Sequence, residues 1–313
     1  MYIMGSGRSG STIIDRFVGA HPHAFSCGEL CNLVRALQSP NEFCACGITA
    51  ANCPFWKSVI LRWKASVPDH ALDEYERLRN RFERLRSALP SSPRPKNQQL
   101  ARYEAYTLAL LEAISSESGT AVIVDSSKSP ARARRLAGLP GITLTTLHLI
   151  RDPRAVAGSY LRSYPRSPKQ GLQRDIHGRS VVLTSMDWLV TNVIASHVRR
   201  TPSMQSLQFR YEDFVSNPRT ALEQIGGLVG LDFRHAVERF ESTLRTRAET
   251  HMIAGNRMRM LSNVKLRPDL PSMQELGLSK WMTVTLLVLP AVVAFRYPLL
   301  HPLREVRQHG LPR

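Results

Sequence analysis

Near the start of this 313-residue chain, Gly5-Ser6-Gly7-Arg8-Ser9-Gly10-Ser11-Thr12 has the residue types and order that hold a phosphate or a similar anion. The run follows Tyr2-Ile3-Met4, which reads as the end of a buried strand, and leads into an expected helix over 12–19. In that setting backbone N–H groups and the positive end of a helix both face the anion. The frame is that of the G-x-x-x-x-G-K-[ST] loop of nucleoside triphosphatases, except that Ser11 stands in the lysine position. A loop for triphosphate and Mg²⁺ thereby lacks the cation that reaches the β- and γ-phosphates. Arg8 supplies a planar, fork-shaped donor instead. Ordinary kinase and ATPase chemistry is disfavoured; an atypical P-loop kinase stays open, as does a glycine turn with no ligand.

A second junction of the same kind follows a later strand. Leu149-Ile150 runs into Arg151-Asp152-Pro153, where Asp152 suits a helix cap and Pro153 a first helical turn. Ser159 follows Arg151 at a distance of eight residues. With these two segments the chain resembles the sulfotransferases that use 3′-phosphoadenosine 5′-phosphosulfate (PAPS), bacterial members included. The resemblance implies that Gly7, Arg8, Ser9, Gly10, Ser11 and Thr12 bind the 5′-phosphosulfate. It implies that Arg151 and Ser159 bind the 3′-phosphate. The segment Phe209-Arg210-Tyr211-Glu212-Asp213 resembles the family's strand before a tyrosine near the adenine, here Tyr211. The stretch from His251 to Arg259 resembles a late Gly–Asn loop that closes over the nucleotide, with Gly255, Asn256, Arg257 and Arg259 as expected ligands.

The resemblance also implies the chemistry. Glu29 lies 21 residues after Arg8 and resembles the glutamate with which tyrosylprotein sulfotransferases deprotonate the acceptor. A first-turn helix glutamate would look the same. His21, His23 and His251 are rival bases. Lys128, closing Asp125-Ser126-Ser127-Lys128, resembles the lysine aimed at the transferring sulfuryl group, with Arg8 acting beside it. Ser126 and Ser127 are expected near acceptor or sulfate. The expected reaction is in-line displacement without a metal.

These residues need a scaffold that brings strand ends together. Alternating strands and helices predict an α/β fold, a P-loop-like, mostly parallel sheet flanked by helices, in one sulfotransferase domain over 1–313. Strands are expected at 121–124, 143–150 and 207–211, and helices at 70–89, 99–116, 181–199 and 218–229. Arg77, Arg79, Arg81, Arg84 and Arg86 form a basic outer face on the first of those helices, which Ser91-Ser92-Pro93-Arg94-Pro95 breaks. Residues 31–120 interrupt the rhythm and read as a helical insertion over the acceptor site, and 162–180 as a lid loop.

Composition narrows the partners. Lys and Arg number 42 against 25 Asp and Glu, a formal charge of +17, which calls for anionic partners. The basic residues are dispersed and carry no nucleic-acid-binding motif, so a nucleic-acid-binding protein ranks last and no specific nucleic acid is expected. The acceptor is expected to be an acidic small molecule, glycan or lipid-linked hydroxyl compound. No secretory signal is read before the first strand, and the expected location is cytoplasmic. The apolar run 281–295, interrupted by Pro290, is shorter than the roughly 20 residues of a membrane span. It reads as one buried helix, with peripheral membrane contact left open. All 5 cysteines lie between Cys27 and Cys53. Cys44, Cys46 and Cys53 lack the paired spacing of common zinc sites, so a disulfide, a metal and free thiols all stay open, and no catalytic metal is expected.

Overall fold

The computed structural model describes residues 1–89, 97–172, 174–233, 244–245, 250–261, 263–264 and 276–299. Its centre is a five-stranded sheet of β1 (Tyr2–Met4), β2 (Ala24–Ser26), β3 (Val122–Lys128), β4 (Thr145–Ile150) and β5 (Gln205–Arg210) in the order β2-β3-β1-β4-β5. Every pairing in it is parallel. A parallel sheet needs helices on both faces, and the alternation along β1 supplies an apolar side chain to each. Ile3 points into a layer with Ile14 and Phe17 of α1 (Ser11–Gly19), Phe214 of α9 (Tyr211–Ser216) and Leu222 of α10 (Pro218–Val229). Tyr2 and Met4 point the other way, onto Leu136 of α6 (Pro130–Leu136) and Ile194 and Ala195 of α8 (Val181–Val198). The expected fold class is the observed one.

Between β2 and β3 the chain forms α2 (Leu33–Gln38), α3 (Pro54–Lys64), α4 (Ala71–Phe82) and α5 (Gln98–Ser118). Their core gathers Trp56, Trp63, Tyr75, Phe82, Tyr103 and Leu110, and the Trp63 indole N–H donates to the Tyr106 carbonyl at 2.9 Å. The helix expected over 70–89 stops at Phe82. There the Phe82 carbonyl accepts from the Ser87 hydroxyl and from Arg135 Nε, so polar groups outside the helix replace its next turn. The Pro93 breaker lies outside the described residues.

β3 runs four residues beyond its expected end. Asp125-Ser126-Ser127 looks like a turn by residue type, yet each side chain is buried and bonded. Asp125 pairs with Arg132 at 2.8 Å, Ser126 donates to Asp15 at 2.5 Å, and Ser127 donates to Asp125. Against β1 the register slips, with Tyr2 opposite Asp125 and Met4 opposite Lys128. Such a bulge re-aims a side chain, and Lys128 takes a left-handed backbone, φ 71°.

α7 (Pro153–Leu161) begins as expected, with Asp152 Oδ1 accepting from the Arg154 amide at 2.8 Å and Pro153 in the first turn. The 281–295 run is two helices, not one: α11 (Leu278–Leu287) and α12 (Leu289–Ala294), broken at Val288 with Pro290 starting the second. Trp281, Val284 and Val292 bury against α7 and α8, while Met282, Leu286 and Val293 are exposed. Among the described residues only α8 is long and apolar enough to cross a membrane. Its inner face holds Trp188 and Asn192, the latter bonded to His148 at 3.1 Å, whereas Leu183 and Val193 are exposed.

Candidate active site

The carboxyl ends of parallel strands converge where strand order reverses, and loops there make the natural binding crevice of an open α/β sheet. β1 sits between β3 and β4, so the glycine loop after β1 lies at that point. Three glycines in it sit where a Cβ would press on a neighbour, and Gly5 and Gly10 also take a positive φ. A Cβ on Gly5 would lie 2.2 Å from the Leu149 carbonyl oxygen, one on Gly7 2.2 Å from the Tyr160 hydroxyl, and one on Gly10 2.3 Å from the Tyr211 ring. Gly10, with φ 91°, starts α1 without a side-chain cap, leaving the first amides of the helix to another acceptor. Ser6 and Ser9 are buried and their hydroxyls have no partner within the protein, which suits an anion seated among them.

Arg151 joins this loop to the second junction. Its Nη1 donates to the Arg8 carbonyl at 2.8 Å, and its guanidinium lies over the Tyr211 ring, 4.8 Å from the centroid. Arg8 takes φ 64°, a strained conformation outside glycine, and its guanidinium lies 5.5 Å from the Tyr160 ring centroid. Ser11 and Thr12 open α1, and Ser159 is half-buried on α7.

Glu29 and Lys128 meet across 99 residues of chain. Lys128 Nζ donates to Glu29 Oε1, while Glu29 Oε2 accepts from Asn32 Nδ2 at 2.8 Å. Burial pulls the Lys128 ammonium down, but the charge and hydrogen bond of Glu29 outweigh it, so its pKa ends above the usual lysine value.

The late loop packs against the segment around Glu29 and the start of α1. Ile253 forms a parallel bridge with Gly28; its amide donates to the Cys27 carbonyl and its carbonyl accepts from the Glu29 amide, both at 2.8 Å. Only glycine fits at 28, since its φ is 73° and a Cβ would lie 2.4 Å from the Ile253 oxygen. The Asn256 amide donates to Thr12 Oγ1 at 3.3 Å, and a Cβ on Gly255 would lie 3.3 Å from Glu29 Oε1. Arg257 is exposed and lies over Tyr164, 4.7 Å from its centroid. Tyr164 belongs to a short hairpin, paired with Ile176, within the expected 162–180 loop.

Several expected roles change. Arg259 is 1% exposed and bound to Glu42 at 3.1 Å, so its charge is spent inside the protein. Ser126 and Ser127 hydroxyls are taken by Asp15 and Asp125. Of the rival bases, His21 accepts from the His23 amide and packs at a tilt on Phe233, and His251 Nδ1 faces Cys53.

Asp15 is a residue the motifs do not reveal, although a carboxylate in the apolar run Ile13-Ile14-Asp15 is a signal. It is fully buried and accepts from Ser26 and Ser126, both at 2.5 Å, joining α1, β2 and β3 beneath the site. Burial raises its pKa to about 7 despite those two hydrogen bonds. A carboxyl raised above its unfolded value favours folding while protonated, and that contribution fades as pH climbs from about 4 through about 7. Asp15→Asn, which cannot titrate, is therefore expected to gain on the wild type between pH 5 and pH 8. Urea unfolding should show a relative gain on the order of 2 kcal/mol. Parallel stability curves for the two proteins would contradict the buried, partly protonated carboxyl.

Comparison with known proteins bears on the family and the fold. A family model described as "Sulfotransferase family" matches residues 1–235. No curated protein sequence matches the chain. Among solved structures, the sulfotransferase domain from the curacin biosynthetic pathway superposes with a TM-score of 0.51 at 15% identity, covering 96% of this chain and 98% of that one. The sulfotransferase domain of the Synechococcus PCC 7002 olefin synthase gives 0.47 at 18% identity, covering 95% and 94%. The first supports the fold alone, while the family match spans the sheet and both strand-to-helix junctions. On that match, this chain belongs to the sulfotransferase family.

Proposed function

We propose that the protein transfers a sulfuryl group from PAPS to an acceptor hydroxyl by metal-independent in-line displacement. The observation that carries this reading is the joining of the two junctions, with Arg151 bonded to the Arg8 carbonyl and stacked on the tyrosine that packs against Gly10.

In this reading Gly7 to Thr12 hold the 5′ end of the nucleotide through backbone amides and the Ser9 hydroxyl. Arg151 and Ser159 take the 3′-phosphate, Tyr211 the adenine side, and Gly255, Asn256 and Arg257 close over it. PAPS, when bound, supplies an activated sulfuryl group on a good leaving phosphate. Glu29 accepts the proton of the acceptor hydroxyl. Lys128, held charged by Glu29, and Arg8 offset negative charge that develops as the bond to the leaving oxygen lengthens. The 162–180 loop serves as a lid, tied to the late loop through Tyr164 and Arg257.

The helices between β2 and β3 frame the acceptor side, where Glu29 and Asn32 open onto them. An acidic small molecule, glycan or lipid-linked acceptor fits the +17 charge. The exposed apolar side chains of α8, α11 and α12 favour the lipid-linked class and peripheral contact with a membrane.

Calorimetry with 3′-phosphoadenosine 5′-phosphate tests the donor half. Wild type is expected to bind it well ahead of ATP, and Arg151→Ala to weaken binding by about 10-fold or more, as loss of a charged phosphate contact does. Phosphate transfer from ATP without binding of that nucleotide would instead favour the atypical kinase.

A further inference from the structure

Three cysteines and a histidine with no part in the proposed reaction meet where the cysteine segment touches the late loop. Phe43 and Thr49 pair antiparallel, and Gly47, φ 86°, turns the chain between them, with the Cys44 amide donating to the Ile48 carbonyl at 2.8 Å. That knuckle presents Cys44 and Cys46. Cys53 stands at the start of α3. His251 arrives from the far end of the chain, held by a hydrogen bond from the Trp56 indole to its carbonyl at 2.8 Å. Its ring stacks on Phe55 with centroids 4.9 Å apart and planes 9° apart.

The result is a closed set of four ligand atoms. His251 Nδ1 lies 3.3 Å from Cys53 Sγ and 3.8 Å from Cys44 Sγ, Cys46 Sγ lies 3.7 Å from Cys53 Sγ, and all four fall within 4.8 Å of one another. A tetrahedral zinc ion with Zn–S of about 2.3 Å and Zn–N of about 2.0 Å has S···S edges of about 3.8 Å and S···N edges of about 3.5 Å. The three shortest spacings lie near those edges, whereas a disulfide needs sulfurs about 2.0 Å apart. Cys44 and Cys53 are fully buried, and soft thiolates with one imidazole select zinc over the harder divalent ions.

We propose that Cys44, Cys46, Cys53 and His251 Nδ1 hold one structural zinc ion. Zn²⁺ takes the place of the thiol protons, which pass to solvent, and four protein ligands leave it no open position for a reacting group. The ion riveting His251 to the cysteine knuckle fixes the segment that follows. Within it Ile253 bonds the backbone of Cys27 and Glu29, and Asn256 reaches Thr12. The zinc thus braces the glycine loop and Glu29 from behind without entering the chemistry.

Metal analysis of the full chain purified in reductant tests this. About one zinc per chain is expected, and Co²⁺ in its place should give the intense visible and thiolate charge-transfer bands of a tetrahedral site. His251→Ala and Cys53→Ser should lose the metal, His251→Cys should keep it, and Cys31→Ser, outside the cluster, should keep it too. If the losing variants do not fold, the wild type still decides. Stripping its zinc with a mercurial reagent should lower Tm, and restoring thiols and zinc should recover it. Wild-type protein that holds neither zinc nor Co²⁺, a Cys46–Cys53 disulfide in a peptide map, or unchanged zinc in Cys53→Ser would each overturn the proposal. None of these readouts depends on the donor or on sulfuryl transfer.

Discussion

Glu29→Gln is expected to lower kcat by about 10²–10⁴-fold, the usual worth of a positioned general base. Glutamine keeps the shape of the side chain and can still accept from Asn32, so binding of 3′-phosphoadenosine 5′-phosphate should change little. The loss should therefore fall on kcat, because a base acts on the transition state and not on the bound nucleotide. The variant carries a second signature. Lys128 owes its raised pKa to Glu29, which overcomes the downward pull of burial. With the carboxylate gone, burial prevails and the ammonium loses its proton at lower pH. Residual activity of Glu29→Gln should accordingly decline toward alkaline pH sooner than the wild type does. Single-turnover rates across pH would show both effects; turnover within a few-fold of wild type would remove Glu29 from the reaction.

Arg132→Ala should cost about 3–5 kcal/mol of folding stability, the penalty for leaving a buried charge without its partner. Arg132 is fully buried, bound to Asp125 at 2.8 Å and to Glu83 at 2.5 Å, and Glu83 also accepts from Tyr103 at 2.5 Å. Removing the guanidinium strands two carboxylates in the protein interior. Since a domain is stable by only about 5–15 kcal/mol, a lower urea midpoint and poor soluble yield should follow. Replacing the whole cluster, Arg132→Met with Asp125→Asn and Glu83→Gln, should recover much of the loss, because no buried charge then remains. If the single variant unfolds like the wild type, the network contributes little. The cluster matters for function through β3, whose polar end stays in the sheet because Arg132 and Asp15 engage it. Lys128 reaches Glu29 from the bulge that ends that strand.

The junctions were legible in the sequence because each is local. A short apolar strand, a glycine run and a helix start, or a strand, Arg151, a capping Asp152 and Pro153, make their hydrogen bonds within a few residues. The α/β rhythm reads the same way, since periodicity belongs to a single element. The stop of α4 at Phe82 did not, as its carbonyl is met by Arg135 from another helix. Nor did the end of β3, where residue types that favour turns are overruled by buried partners.

Sequence alone determined the two strand-to-helix junctions, the parallel sheet and the family these imply. Tertiary structure alone decided which charges meet: Lys128 with Glu29, Arg259 with Glu42 rather than a nucleotide, and His251 with Cys44, Cys46 and Cys53. Contacts across 99 to 217 residues leave no periodic or spacing signal in either segment. They exist only once the sheet has brought the strand ends together, which is also where the chemistry of this fold must be done.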